Sequence, residues 1–258
     1  NCALKIQNTE REGSSKKMWG YIFQGKAAEA LTVNGLEWIA SYGGDLILDD
    51  QDKVSINTPY AKKALELASN WIGKISPEGV LNYSEEDGRG VFQSGNAVFL
   101  RSWSYVWGLV NAADSQIKGK VGIVRLPKGG DNGKHVNALG GQQLAVSKYS
   151  MHKVEAMSLI RHLTSAKEQK RRALSSSYLP TLPALYRDSD ILVKHPHFAQ
   201  IYPFFETAIL RPTRQTGLKY SQISKNIINS DFLKLNLEAH FKEKIMVVGN
   251  LPYNISSP

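Results

Sequence analysis

Apolar positions recur at helical spacing in several stretches of the chain. The clearest helix begins at Thr58-Pro59, where the threonine can cap the helix and the proline suits its first turn. A second helix is expected from Gln24-Gly25 to about Tyr42, and a third after Ser150. The third should turn a set of apolar side chains inward: Met151, Val154, Met157, Leu159, Ile160 and Leu163.

Short apolar runs between these helices have the length of strands. They are Met18–Phe23, Ala97–Leu100, Lys120–Leu126 and Leu139–Val146. Strands that alternate with amphipathic helices are typical of an α/β fold. The 258 residues are enough for one large domain or two of ordinary size.

The stretch of residues 94–107 passes from a strand directly into a helix. Ala97–Leu100 is the strand, and Ser102 or Ser104 can cap the helix. Open α/β sheets place ligands at such strand ends, and aromatic rings with polar tips suit a ligand with an apolar face and a polar rim, such as a sugar. On spacing alone, a core role is the more common one for such a cluster. The aromatic residues concerned are Trp103, Tyr105 and Trp107.

The formal net charge of +9 raises the question of a nucleic-acid partner. The basic residues form no concentrated stripe, and the densest run, residues 167–172, lies in a short helical pattern capped by Ser165. A solvated helix face explains this run better. We therefore expect no nucleic-acid partner.

An acidic cluster offers a carboxylate pair of the kind that a glycosidase needs. It consists of Glu85, Glu86 and Asp87, directly after Ser84. Acids in this position also complement a helix N-terminus, so capping is the simpler interpretation.

Other motifs lack the spacing that their chemistry requires. The glycines at 88–90 and 129–134 fit neither a dinucleotide-binding loop nor a phosphate-binding loop. His195 and His197 have no acidic or cysteine partner at ligand spacing, so we expect surface histidines, and the single Cys2 excludes a cysteine-built metal site. No catalytic residue, metal or cofactor is predicted.

Residues from about Ala3 to Asn229 resemble the later part of an extracellular solute-binding protein of the trehalose/maltose type, which belongs to an ABC sugar transporter. The resemblance rests on ordered segments across this range: Lys5-Ile-Gln, Glu10-Arg11, Trp19-Gly-Tyr-Ile-Phe-Gln-Gly25, Leu36-Glu-Trp-Ile-Ala-Ser-Tyr-Gly-Gly44, Gly90-Val-Phe-Gln-Ser-Gly-Asn96, Leu126-Pro-Lys-Gly-Gly130, Leu139-Gly-Gly141 and Val146-Ser-Lys-Tyr-Ser150.

The resemblance implies a periplasmic-binding-protein-like fold, in which two α/β lobes joined by crossing segments close around a sugar. Residues 1–130 and 185–229 would form the C-terminal lobe. Residues 131–184 would be a remnant of the N-terminal lobe with the crossing segments. The family's opening region, which builds most of the N-terminal lobe, is absent, so we expect a truncated chain.

The resemblance also implies a set of sugar contacts. Trp103 and Tyr105 would stack on the sugar and bond to it, Gly140 and Gly141 would bring the backbone close to it, and Arg211 would reach its hydroxyls. Relatives of this type typically carry a tryptophan after the paired glycines, where this chain has an amide, Gln142.

The implied function is non-enzymatic. An oligosaccharide would be bound and delivered to the membrane permease subunits of an ABC importer, and we expect a monomer. The location implied for the parent family is periplasmic or extracellular, although this chain shows no signal peptide at Asn1.

The last residues, 231–258, do not fit this family. Ile245–Pro258 is similar to the ribosomal RNA adenine dimethyltransferases, in which such a motif holds the target adenine. Asn250, Pro252 and Tyr253 would carry that role. No glycine-rich cofactor loop precedes the motif, so we expect an inactive fragment joined near Ser230, with an S-adenosylmethionine-dependent methyltransferase fragment as the alternative function.

Overall fold

The computed structural model describes residues 2–13, 17–44, 47 and 54–211. The described residues form two compact units. Unit 1 contains those up to 102 together with 125–138 and 208–211, and unit 2 contains 103–124 and 139–207. The predicted lobes, 1–130 with 185–229 and 131–184, stay a prediction.

Unit 1 contains four α-helices, one 3-10 helix and two parallel strand pairs among its described residues. In chain order its first elements are α1 (Cys2–Glu12), β1 (Trp19–Ile22), α2 (Glu29–Ser41), α3 (Pro59–Ser69), a 3-10 helix (Glu78–Asn82), α4 (Glu85–Gln93) and β2 (Ala97–Leu100). Two short strands follow later in the chain, β3 (Asn137–Ala138) and β4 (Ala208–Ile209).

Unit 2 is helical in the part of the chain that the structure describes. Its elements are α5 (Val106–Val110), α6 (Lys153–Leu163), α7 (Ala166–Ser176), a 3-10 helix (Pro183–Arg187), α8 (Ser189–Lys194), α9 (His197–Ile201) and a further 3-10 helix (Tyr202–Thr207). No described helix of either unit has the length and apolar character needed to cross a membrane.

The core of unit 1 is built on β1, β2 and α2. β1 pairs in parallel with β2, with Trp19 opposite Ala97 and Tyr21 opposite Phe99. Eleven of the thirteen residues of α2 are buried. Four aromatic rings pack edge to face or stacked beside these elements: Tyr21, Phe23, Trp38 and Trp71. Parallel pairing with helical connections confirms the predicted α/β class.

The helix predicted after Thr58-Pro59 is confirmed in α3. The Thr58 hydroxyl accepts a hydrogen bond from the Ala61 amide at 3.1 Å, which satisfies one of the amides that a helix start leaves free. The face toward the core buries Ala61, Ala64, Leu65 and Ala68.

Unit 2 has its own apolar core. It consists of Ala173 on α7, Leu185 and Tyr186 on the 3-10 helix, Ile191 on α8 and Phe198 on α9. On the outside, the Lys170 ammonium lies 2.8 Å from Asp188 and 2.7 Å from Asp190. The basic run of residues 167–172 is thus partly paired with acids.

Two predicted strands and one predicted helix face differ from the structure. Lys120–Leu126 and Leu139–Val146 lie outside every strand, because a strand needs a neighbouring strand to pair with and the described residues supply none there. The helix after Ser150 forms as α6, but none of its residues is buried, so its apolar face does not point into a core.

Candidate functional site

The aromatic pair predicted to hold a sugar follows β2 directly. Trp103 and Tyr105 are both half-buried and lie in the turn between β2 and α5. The helix begins at Val106, later than the serine caps predict, and Tyr105 occupies the position before it. Both side chains therefore sit on a short, well-defined turn in unit 2.

The indole ring of Trp103 lies against the backbone of Gly140. A Cβ atom placed on Gly140 would lie 2.7 Å from Cζ3 of the indole and 3.2 Å from its Cη2. Real Cβ atoms do not approach other atoms that closely, so the contact requires glycine at this position. A Cβ atom placed on the neighbouring Gly141 would meet no atom of the described residues within 4 Å. Gly140, Gly141 and Gln142 are all exposed, and of the two glycines Gly140 is the one that lies against the indole.

A buried carboxylate in unit 1 holds the two segments that lead to Trp103 and Gly140. Glu37 on α2 accepts hydrogen bonds from Arg101 Nη2 at 2.7 Å and Arg101 Nε at 2.9 Å, and from the Ala138 amide at 2.9 Å. Glu37 is 3% exposed and Arg101 4% exposed. The side-chain amide of Gln24 donates to the Arg101 carbonyl at 2.8 Å. Arg101 lies two positions before Trp103 in the sequence, and Ala138 lies two positions before Gly140.

This anchor was missed by the sequence analysis. A signal was present, because Glu37 stands between Leu36 and Trp38 within the apolar centre of a predicted helix. A charged residue at such a position is buried only if it is paired. The partner, Arg101, lies 64 positions further along the chain, so no local pattern identifies it.

Trp107 has a packing role. Its ring lies 4.6 Å, centroid to centroid, from the imidazole of His197. His197 is only 2% exposed, so the prediction of surface histidines is wrong for this residue. Among the described residues, neither ring nitrogen of His197 has a hydrogen-bond partner. Burial, with a smaller effect from His195, lowers the pKa of His197 to about 4 and keeps the ring neutral.

His195 is tied to the end of α7. Its Nε2 lies 3.1 Å from the Leu174 carbonyl, which can only accept, so Nε2 carries the proton and Nδ1 accepts from the Ser177 hydroxyl at 3.0 Å. Ser177 ends the helix in a left-handed conformation with φ 55°. His195 and Ser177 thus close the C-terminal end of α7. Within the described ranges, no three His, Cys, Asp or Glu side chains form a group that could hold a metal ion.

Arg211, the predicted hydroxyl-binding arginine, lies in unit 1. Its guanidinium forms an ion pair with Glu29 in the first turn of α2. A ligand hydroxyl at this guanidinium would share it with that carboxylate.

The acidic cluster caps a helix, as predicted. An oxygen of Asp87 accepts from the Ser84 amide at 2.9 Å and from the Ser84 hydroxyl at 2.6 Å. These bonds hold the pKa of Asp87 below its ordinary value. Glu86 is paired with Arg89. A glycosidase acid needs a raised pKa, so Asp87 does not fit that role.

Residues 4–170 match the family of bacterial extracellular solute-binding proteins. The chain belongs to this family. A probable ABC transporter-binding protein of Deinococcus radiodurans is 46% identical over 222 residues, which are 86% of this chain and 52% of the relative. The match confirms the extracellular solute-binding family predicted from the ordered segments, and the trehalose/maltose type stays a prediction.

Solved structures of solute-binding proteins have the same fold. The maltose-bound MalE3 protein of T. maritima superimposes with a TM-score of 0.78 at 34% identity, over 95% of this chain and 60% of that one. An ABC transporter solute-binding protein of Thermotoga lettingae, bound with α-D-tagatose, gives a TM-score of 0.70 at 26% identity, over 86% of this chain and 54% of that one. The two-lobe periplasmic-binding-protein fold class is confirmed, and the chain spans about half the length of these relatives.

The methyltransferase-like motif of this solute-binding protein lies outside the described residues. Asn250, Pro252 and Tyr253 therefore stay predictions, and so does the inactivity of residues 231–258.

Proposed function

We propose that this chain binds an oligosaccharide of the trehalose/maltose class and delivers it to an ABC importer. The observation that carries the proposal is the Trp103 indole, held on Gly140 with part of its surface exposed. An aromatic ring in a fixed position offers a flat apolar surface on which the apolar face of a sugar ring can stack. Family membership and the maltose bound to the T. maritima relative support the same ligand class.

The proposed roles of the other site residues follow from their chemistry. The Tyr105 hydroxyl donates hydrogen bonds to sugar hydroxyls or accepts them. Gly141 and Gln142 are exposed and directly follow Gly140 in the sequence. The Arg211 guanidinium is the proposed donor to ligand hydroxyls. Binding is coupled to hinge closure of two lobes, and the chemistry of the sugar is unchanged.

The proposed setting follows from the same function. The partners are the sugar and the permease subunits in the membrane, the location is periplasmic or extracellular, and the protein works as a monomer.

Calorimetric titration of the full chain with maltose and with trehalose tests the proposal. We expect weak binding, with a dissociation constant on the order of 1 mM, because the chain spans about half of its relatives. Trp103→Ala should weaken binding about tenfold, which corresponds to about 1.4 kcal/mol. Trp103→Phe keeps an aromatic face and should retain most of the affinity.

Tyr60→Ala is the control, because Tyr60 is an exposed aromatic residue on α3 of unit 1. It should leave both titrations unchanged. Equal affinity of the wild-type chain and Trp103→Ala, or no heat with either sugar at about 10 mM, would contradict the proposal.

A further inference from the structure

A single carboxylate oxygen joins two segments that lie far apart in the sequence. Oε1 of Glu37 accepts a hydrogen bond from Arg101 Nη2 at 2.7 Å and another from the Ala138 amide at 2.9 Å. The second oxygen, Oε2, accepts from Arg101 Nε at 2.9 Å. Glu37, Arg101 and Ala138 are all buried. The bonds on Glu37 therefore constrain where the Arg101 segment lies relative to the Ala138 segment.

Each of these segments is also paired with a neighbour of its own. The Arg101 amide donates to the Ile22 carbonyl of β1 at 2.9 Å, and Ala138 is paired with Ile209 where β3 and β4 run in parallel. Backbone pairing of this kind sets the register of a segment against its own neighbour. Glu37 adds a side-chain link from one segment to the other.

The path from this link to the proposed sugar-binding indole is short. One residue separates Arg101 from Trp103, and one residue separates Ala138 from Gly140. Two residues of fully extended chain span about 7 Å at most, so a change in the spacing at Glu37 is carried to both residues. The indole already lies within contact distance of the Gly140 backbone, because a Cβ atom there would be 2.7 Å from Cζ3.

Stability alone does not require a charged pair at this place. Replacing a buried ion pair with well-packed apolar residues of similar volume is often neutral or stabilising. Apolar side chains would leave the Ala138 amide without its acceptor, and they would not fix an orientation. A guanidinium bonded to both oxygens of a carboxylate has a defined geometry. Buried polar contacts of this kind are what hold a binding group in position.

We propose that Glu37 is a positioning residue for the sugar site. Its carboxylate sets the spacing between the Arg101 and Ala138 segments, and this spacing seats the Trp103 indole on Gly140. The effect on sugar affinity rests on the proposed function, whereas the seating of the indole is independent of it.

Two substitutions of Glu37 separate the position of the carboxylate from its charge. Glu37→Asp keeps the charge and withdraws the carboxylate by one methylene group, while Glu37→Gln keeps the length and removes the charge. The full chain is labelled with a fluorinated tryptophan, and its fluorine NMR spectrum is recorded without sugar. The resonance of Trp103 is the one that Trp103→Phe removes.

The two variants should affect the indole differently. In Glu37→Asp, we expect the Trp103 resonance to shift by more than its line width and the Ala138 amide to exchange faster with solvent. In Glu37→Gln, the resonance of the folded chain should stay near its wild-type position, because an acceptor oxygen remains at the same distance from the helix. Glu37→Asp should also raise the dissociation constant for maltose about tenfold.

Glu66→Asp is the matched control, because it makes the same change in the exposed Lys62–Glu66 pair. It should change neither the Trp103 resonance nor the affinity for maltose. An unmoved Trp103 resonance in Glu37→Asp, or an equal shift in Glu66→Asp, would overturn the proposal. A larger shift in Glu37→Gln than in Glu37→Asp would also overturn it, since charge would then be the property that matters.

The two readouts distinguish this proposal from the proposed function. If the Trp103 resonance shifts in Glu37→Asp but the wild-type chain does not bind maltose, the positioning of the indole stands and the proposed function fails. If the wild-type chain binds maltose and the resonance does not move, the positioning role fails and the proposed function stands.

Discussion

The indole of Trp103 rests on the backbone of Gly140, and a Cβ atom at that glycine would lie 2.7 Å from Cζ3 of the ring. The contact joins two residues that lie 37 positions apart in the sequence. The resemblance implies a sugar contact for both, through the ring of Trp103 and the backbone of Gly140. It gives Gly140 a positioning role that a ligand contact does not require.

Gly140→Ala should therefore displace the indole. The added methyl cannot fit at 2.7 Å, and the half-buried ring is free enough to shift while the fold is kept. We expect a changed near-ultraviolet circular dichroism signal, a small change in the free energy of unfolding, and weaker maltose binding. Gly141→Ala is the control, because its methyl would meet no atom within 4 Å in the part of the chain that the structure describes. Identical behaviour of the two variants would contradict the positioning role.

Glu37→Gln should destabilise unit 1 strongly. The substitution keeps the shape of the side chain and removes the negative charge that compensates the buried Arg101 guanidinium. Removing one partner of a buried ion pair lowers the free energy of unfolding by about 3–5 kcal/mol in comparable pairs. Urea unfolding followed by circular dichroism measures the change. Glu66→Gln removes one partner of the exposed Lys62–Glu66 pair at 3.8 Å and should cost less than about 1 kcal/mol. Similar small decreases in the free energy of unfolding for Glu37→Gln and Glu66→Gln would show that the buried pair is well hydrated.

His197 should make the chain less stable as the pH falls. The pKa of His197 is about 4 in the folded chain and about 6.5 in the unfolded chain. The unfolded chain therefore takes up the proton first, so stability is complete above pH 6.5 and declines toward pH 4. Between pH 6.5 and 5 the loss should reach about 2 kcal/mol.

His197→Phe removes this dependence while it keeps an aromatic ring against Trp107. Denaturant unfolding at a series of pH values measures how the free energy of unfolding depends on pH. The carboxylates with lowered pKa, Asp87, Glu168 and Asp188, contribute mainly below this window because their unfolded pKa values are near 4. An unchanged slope in His197→Phe would refute the assignment.

Gln142→Trp should tighten sugar binding about tenfold if this position faces the ligand. Gln142 is exposed, so the larger side chain should not lower the thermal midpoint. Gln143→Trp is the matched control, because it places the same side chain at the neighbouring exposed position. A lower midpoint without a gain in affinity, or an equal gain in both variants, would argue against the placement.

Local sequence determined the elements that depend on their own residues. The cap at Thr58, the capping residues Ser84 and Asp87 and the strand Ala97–Leu100 were predictable, because neighbours within a few positions supply the hydrogen bonds or the apolar run. The ordered segments also predicted the family, and the family match confirmed it.

Tertiary structure decided everything that depends on a partner far along the chain. Leu139–Val146 and α6 have the patterns of a paired strand and a packed helix, but a pattern cannot supply the neighbour that pairing and burial require. Glu37 is buried because Arg101 and the Ala138 amide reach it, and His197 is buried because Trp107 covers it. Gly140 lies against the Trp103 indole, 37 positions earlier in the chain. Contacts between residues far apart in the sequence set these environments, and the local spacing of apolar residues carries no information about such contacts.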